Sequence, residues 1–317
     1  MPDIYKTLVT DDFSSRIYDR AVDELTARYP FIGRGIWGRS VAGAPLWSLS
    51  MGEGGAQVFM NAAHHANEWI TTPVLFRFIE EYAESVASGR PIYGLDVGRL
   101  YRTTVLYAVP LVNPDGAELV NGTFSESNPL YGGAVRIGSR YPDIPFPSGW
   151  KANITGTDLN LNYPAGWETA KEIKFEQGFT TPAPRDYVGE EPLSAPESEA
   201  MYVLTRNLRF RITISLHTQG EVIYWKYLDY EPEGSYEIAQ LFSRNTGYAV
   251  ETTPYSSGFA GYKDWFIQDH NRPGYTVEIG LGENPLPITD FDEIYERCFP
   301  IFPLSLYVAP NVAPPDL

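Results

Sequence analysis

Three runs of nearly continuous apolar residues limit most strongly what this chain can fold into. They are Thr104 to Leu111 (TVLYAVPL), Ile212 to Leu216 and Tyr275 to Ile279. A strand with one face in water alternates apolar and polar residues, whereas an unbroken apolar run belongs in a sheet covered on both faces, the habit of parallel strands. Leu46 to Met51 and Val58 to Ala62 read as two further strands, separated by the turn Gly52-Glu53-Gly54-Gly55. Helical spacing surrounds these runs. Ile17, Val22, Leu25 and Tyr29 predict an amphipathic helix over Ser14 to Tyr29. Thr71-Thr72-Pro73 offers a capping residue and a proline at the first helical position ahead of Val74, Phe76, Phe78, Ile79 and Tyr82. Further helices are expected around Glu237 to Asn245, Gly261 to Gln268 and Asp290 to Leu306. Strands alternating with helices predict an α/β fold, a single domain with a mixed, mostly parallel central sheet and helices on both faces.

One domain spanning all 317 residues is the economical reading, with no internal repeats, no charge-block tail and no linker in view. The stretch from Asn121 to about Pro196 is rich in Gly, Pro, Tyr, Asn and Ser. Irregular segments of that length in a compact domain are usually functional, and Trp150, Tyr163, Trp167 and Tyr187 favour an ordered loop that builds a site. With 40 acidic against 24 basic residues and a net charge of −16, the chain lacks the basic face of a nucleic-acid binder. No apolar run is long enough to span a bilayer. The first residues carry Asp3, Asp11 and Asp12 rather than a leader's apolar stretch, so a cytoplasmic location is expected. A single cysteine, Cys298, excludes a disulfide framework and a thiolate cluster within one chain. Any metal must therefore be held by His and carboxylate.

There are four histidines, His64, His65, His217 and His270. The strand ending at Ala62 runs into Ala63-His64-His65-Ala66-Asn67-Glu68-Trp69. A His and a Glu three apart, leaving a buried strand, can turn toward one point, and strand ends are where α/β sheets bind ligands. Imidazole and carboxylate suit zinc, whose catalytic sites take three protein ligands and keep one position open. His64 would point away from its neighbour. For a third ligand His217, at the end of the run Ile212 to Leu216, is preferred to His270, which reads as a solvated loop residue. Glu278 stands in the buried run Tyr275-Thr276-Val277-Glu278-Ile279-Gly280. A buried Glu is either ion-paired or at work; beside a metal-activated water it would be a competent general base.

Taken together these residues resemble the zinc carboxypeptidase (metallocarboxypeptidase) family. The resemblance covers most of the chain: Gly38-Arg39-Ser40 and Pro45-Leu46-Trp47, then HANEW at His65 to Trp69, NPDG at Asn113 to Gly116, GTDLN at Gly156 to Asn160, HTQG at His217 to Gly220 and TVEIG at Thr276 to Gly280. It implies that His65, Glu68 and His217 hold one zinc ion and that Glu278 activates its water. It also implies that Asp158 supports the first zinc histidine, that Asn160 lies on the substrate, and that Tyr255 is the mobile tyrosine closing over it. Asn113-Pro114-Asp115-Gly116 is expected to be a structural turn.

Two departures from the family pattern carry information. Lys151, in Trp150-Lys151-Ala152-Asn153, occupies the place of the arginine that stabilises the oxyanion; lysine supplies the charge without the planar fork. Leu161, in Asp158-Leu159-Asn160-Leu161-Asn162, occupies the place of the arginine that clamps a terminal carboxylate, which speaks against ordinary C-terminal trimming. The flanking text WKAN, DLN, PAGW (Pro164 to Trp167), APRDY (Ala183 to Tyr187), HTQGEVIYW (His217 to Trp225) and GYKDWFI (Gly261 to Ile267) is similar to a subgroup that cuts the γ-D-glutamyl-meso-diaminopimelate bond of bacterial cell-wall peptides. That resemblance implies a peptidoglycan-derived peptide as substrate and a role for Lys263 in favouring an acidic substrate group; the subgroup can carry wall-binding repeats, whereas this chain is expected to be a catalytic domain with neither such repeats nor a propeptide. Three other readings stand beside it: a conventional carboxypeptidase with a different clamp, a zinc amidohydrolase of acylated amino acids, and a metal-binding sensor without catalysis.

Overall fold

The three apolar runs are interior strands of a single eight-stranded sheet. In the computed structural model, which describes residues 2–314, the strand order is β1-β2-β4-β3-β5-β8-β6-β7. The strands are β1 (Gly33–Arg39), β2 (Pro45–Met51), β3 (Ala56–Ala62), β4 (Thr104–Val109), β5 (Phe210–His217), β6 (Val222–Tyr224), β7 (Ala249–Glu251) and β8 (Gly274–Glu278). The four central strands run parallel, and antiparallel neighbours join them at β2 and β6. The sheet is thus mixed and mostly parallel, and the domain is α/β.

Alternation along β3 divides the core in two. Val58, Met60 and Ala62 pack with Ile212, Ile214 and Leu216 of β5 under the helices α1 (Ser15–Arg28) and α2 (Thr71–Ser88). On the opposite face Phe59 stacks on Phe210, ring centroids 4.7 Å apart, and joins residues of two further helices, Pro196–Asn207 and Tyr262–His270. Apolar side chains therefore leave both faces of the central strands, which is why these strands read as unbroken hydrophobic runs.

Several sequence expectations need correction. The exposed edge strand β1, GRGIWGR, offers little hydrophobic signal and was not expected. The segment from Asn121 to Pro196 is not irregular throughout, since it contains the helices Pro129–Gly138 and Trp167–Glu176 and a single 3-10 turn at Leu159–Leu161. The expected helix Asp290 to Leu306 is two, Phe291–Cys298 and Ile301–Val308. Pro300 lacks the N–H that an unbroken helix would need there. Thr71 does not cap α2. Its hydroxyl accepts from the Ala63 N–H at 2.9 Å and donates to the Glu68 carbonyl at 2.7 Å, which ties down the loop between β3 and α2.

Register sets the level at which the strands end. Ala62 of β3 lies opposite Leu216 of β5, and His217 lies opposite Glu278 of β8. The chain therefore leaves three adjacent parallel strands at one end, level with one another.

Candidate active site

Beyond β3 the backbone turns sharply. Ala63 adopts φ 54°, and Ala66–Glu68 form one 3-10 turn that brings His65 and Glu68 to the same side. His64 points away and is fully buried, its Nε2 3.0 Å from the Tyr163 hydroxyl. His65 Nδ1 lies 2.9 Å from Glu68 Oε1, His217 Nδ1 lies 2.9 Å from Glu68 Oε2, and the two Nδ1 atoms are 3.2 Å apart. The Thr218 N–H also donates to Glu68 Oε2, at 3.2 Å. His270 is remote from this group, half-buried against Trp265 and Phe266 rather than solvated.

Around the cluster each charge has a counterpart. Asp158 Oδ1 is 3.2 Å from His65 Nε2, which fixes the ring and leaves Nδ1 facing Glu68. Burial opposes a charged ring at His65, but the Glu68 and Asp158 carboxylates outweigh it and push the group up to about 9. At Asp158, too, burial is outweighed by His65, and the carboxyl is held below its ordinary range. Lys151 places its Nζ 2.9 Å from Glu68 Oε1. Glu278 is the exception. It makes no ion pair with Arg or Lys among the described residues, and burial, reinforced by the nearby Glu68 carboxylate, pushes it up to about 8. A carboxyl raised in this way is suited to exchanging protons near neutrality.

Two cavities meet at the cluster. One, of about 230 Å³, is walled by Asn160, Leu161, Lys263 and Thr253; the other, of about 590 Å³, is walled by Asn67, Ser148, Gln219 and Asn284. His65, Lys151, Arg185, Tyr224 and Glu278 border both. Leu161 is buried and apolar where it faces the first cavity. Asn160 is oriented by accepting the Tyr262 N–H at 3.0 Å. Lys263 is also in that wall but is already neutralised, with Nζ 2.5 Å from Asp264 Oδ1 and 2.8 Å from the Lys226 carbonyl. Tyr255 is 68 % exposed on a 3-10 turn at the rim, edge-on to Phe259, and is not part of either wall. Arg185, in the wall of both cavities, had no role assigned from sequence. It lies in the APRDY stretch (Ala183 to Tyr187), on a loop separated from Asp158 by the helix Trp167–Glu176 but tied to it by the Asp186 N–H, which donates to Asp158 at 3.1 Å.

The profile of the zinc carboxypeptidases matches residues 18–300 of this chain. The chain belongs to the zinc carboxypeptidase family. It is 42% identical, over 297 residues, to gamma-D-glutamyl-L-diamino acid endopeptidase 1 of Lysinibacillus sphaericus, in an alignment covering 94% of this chain and 72% of that one. A Bacillus subtilis (strain 168) protein, the uncharacterized YqgT, is 40% identical over 88% of this chain and 74% of its own. The crystal structure of thrombin activatable fibrinolysis inhibitor shares the fold at a TM-score of 0.76 and 17% identity, covering 98% of this chain and 81% of that one.

As a zinc carboxypeptidase family member the chain is a metallopeptidase, and the donor set fits the family's metal. Two imidazoles and one carboxylate offer ligand atoms all within 4.8 Å of one another. The separations of 2.9 to 3.2 Å between them match donors shared by one ion with bonds of about 2.0–2.1 Å. Glu278 and Lys151 stand in the cavity walls beside this donor set. Among the described residues, no helix is long and apolar enough to cross a membrane.

Proposed function

We propose that this zinc peptidase hydrolyses the γ-D-glutamyl-meso-diaminopimelate bond of peptidoglycan stem peptides. The observation that carries the reading is the 42% identity, over 94% of the chain, to a relative named as a gamma-D-glutamyl-L-diamino acid endopeptidase. Leu161 supports it, since a buried apolar side chain in the cavity wall offers no partner to a terminal carboxylate.

In this reading His65, Glu68 and His217 hold the zinc, and Asp158 fixes the His65 ring. When bound, the ion supplies Lewis acidity that polarises the scissile carbonyl and acidifies water. Glu278 takes the proton from the attacking water and delivers it to the leaving amine. Lys151 lends positive charge to the developing oxyanion. Asn160, Leu161 and the Lys263–Asp264 pair line the substrate side, and Tyr255 closes from the rim. A single catalytic domain acting on wall fragments in the cytoplasm completes the proposal; cell fractionation would test the compartment.

The test is mass spectrometry of L-Ala-γ-D-Glu-meso-diaminopimelate after incubation with zinc-loaded protein, beside an ordinary α-linked peptide with a free C-terminus. Release of L-Ala-D-Glu and diaminopimelate, with the ordinary peptide intact, is the expected outcome. Trimming of the ordinary peptide alone would overturn the assignment.

A further inference from the structure

Arg185 is built into the site more firmly than its position in a long loop suggests. The backbone N–H groups of Lys151 and Ala152 both donate to the Pro184 carbonyl, at 2.7 and 2.9 Å, and the Ala183 N–H donates to Gly156 at 3.0 Å. The loop bearing Arg185 is therefore pinned to the one bearing Lys151. A second tie runs to the metal cluster. Asp158 accepts from the Asp186 N–H at 3.1 Å through one oxygen while the other faces His65, so the residue next to Arg185 is fixed to the carboxylate that holds a metal-site histidine. Asp186 adopts φ 67°, a left-handed conformation that Asp tolerates better than most residues.

The guanidinium itself is half anchored. Arg185 Nε donates to Asp186 Oδ2 at 2.8 Å, and Asp186 Oδ1 is 2.6 Å from Lys174 Nζ. Neither Nη of Arg185 has an acceptor among the described residues, and the side chain is 42% exposed while bordering both cavities. The other cations of the smaller cavity are engaged: Lys151 with Glu68, Lys174 with Asp186 and Lys263 with Asp264. An arginine with its Nε held and its Nη edge open is oriented for a planar anion arriving from the cavity.

We propose that Arg185 binds one of the two carboxylates that the substrate holds free besides its terminal one, the D-Glu α-carboxylate or the D-centre carboxylate of diaminopimelate, supplying anionic recognition that Leu161 cannot give. A γ-linked D-glutamyl residue leaves its α-carboxylate free on the acyl side, and diaminopimelate carries carboxylates on the amine side. Arg185, at the junction of the two cavities, is within the walls that face each. The choice of substrate rests on the wall-peptide reading; the role of Arg185 as a specificity residue has its own test.

That test compares kcat/KM of the zinc-loaded enzyme for three peptides: L-Ala-γ-D-Glu-meso-diaminopimelate, its analogue with D-isoglutamine replacing D-Glu, and its analogue with L-lysine replacing diaminopimelate. Loss of the carboxylate that Arg185 binds should cost on the order of 10- to 100-fold. Arg185→Met should lose a similar factor on the parent peptide and be indifferent to that one deletion, and Arg185→Lys should fall between. The analogue whose penalty vanishes in Arg185→Met identifies the carboxylate. An unchanged parent rate in Arg185→Met, or an equal loss on all three peptides, would overturn the proposal. Calorimetric Kd values for the same peptides on Glu278→Gln, with and without Arg185→Met, separate the two readings. Carboxylate-dependent binding that requires Arg185, without cleavage by the wild type, would sink the wall-peptidase function and keep the Arg185 inference. Binding indifferent to Arg185 would sink the inference alone.

Discussion

The site has two halves held by different forces. His217 and Glu278 end β5 and β8 in register, and His65 and Glu68 sit on the short turn that follows β3. Lys151, Asp158, Asn160 and Arg185 stand on loops held by a few backbone hydrogen bonds and side-chain polar contacts. Asn153 is the hub of that second half. Its Oδ1 accepts from Thr155 N, Thr155 Oγ1 and Thr157 N at 3.0 to 3.2 Å, and its Nδ2 donates to buried Glu197 at 3.1 Å. Asn113 joins the halves by donating to the His64 carbonyl at 3.1 Å and the Ala152 carbonyl at 3.0 Å. Pairing in a sheet is distributed over many bonds, whereas the loops depend on a few, so the two halves should fail separately.

The largest effect is expected within the strand half. Glu278→Gln should reduce turnover roughly 10²- to 10⁴-fold while zinc content, read by atomic absorption, stays at the wild-type level. Retained turnover would show that another group moves the proton. Asn153→Ala should be next, destabilising by about 2–3 kcal/mol in a denaturant titration and reducing kcat/KM, with zinc affinity within a few-fold of wild type. An equal collapse of zinc affinity would mean that the halves are one unit.

Glu197 sharpens the comparison through pH. Burial pushes its carboxyl up from 4.5 to about 7, although the Asn153 amide and the Val41 N–H favour the charged form. The folded state thus holds this proton more tightly than the unfolded chain. Its contribution to stability is full below about pH 4.5 and is lost as pH rises through about 7. In Glu197→Gln the fall in Tm between about pH 5 and about pH 8 should shrink by on the order of 5 °C; an unaltered slope would refute the assignment. The smallest effect is expected at the rim, where Tyr255→Phe should raise KM by about two- to five-fold and leave Tm unchanged, because the exposed ring contributes little to the fold.

The same division explains what was legible from sequence. Buried parallel strands leave an unmistakable hydrophobic run, and a polar residue at the end of such a run stands out, so His217 and Glu278 could be singled out from their neighbours. His65 and Glu68 stood out by their spacing after β3, and the family resemblance supplied the roles expected of all four. In the loops, polarity is the rule and position carries no period. Lys151 and Asp158 became visible through family resemblance, and Arg185, although within the APRDY stretch, gains a role only from the bonding of its loop to the one bearing Lys151. The motif NPDG reads as a structural turn, but it starts the helix Pro114–Val120, with Asn113 capping it by accepting the Gly116 N–H at 3.1 Å, and sequence could not reveal its partner. Asp115 accepts from Ser40 Oγ and Ala42 N, both at 2.7 Å, so the early Gly38-Arg39-Ser40 stretch and NPDG form one lock beneath the site.

The register between β5 and β8 also constrains how such a protein can change over generations. His217 and Glu278 are opposed across two parallel strands, and inserting or deleting one residue within either strand would turn its terminal side chain to the other face. Length variation is therefore barred from the segments that deliver metal ligand and base. It remains open in the loops, whose residues meet the distinguishing parts of a substrate. New specificities can be tried there while the hydrolytic chemistry is inherited intact.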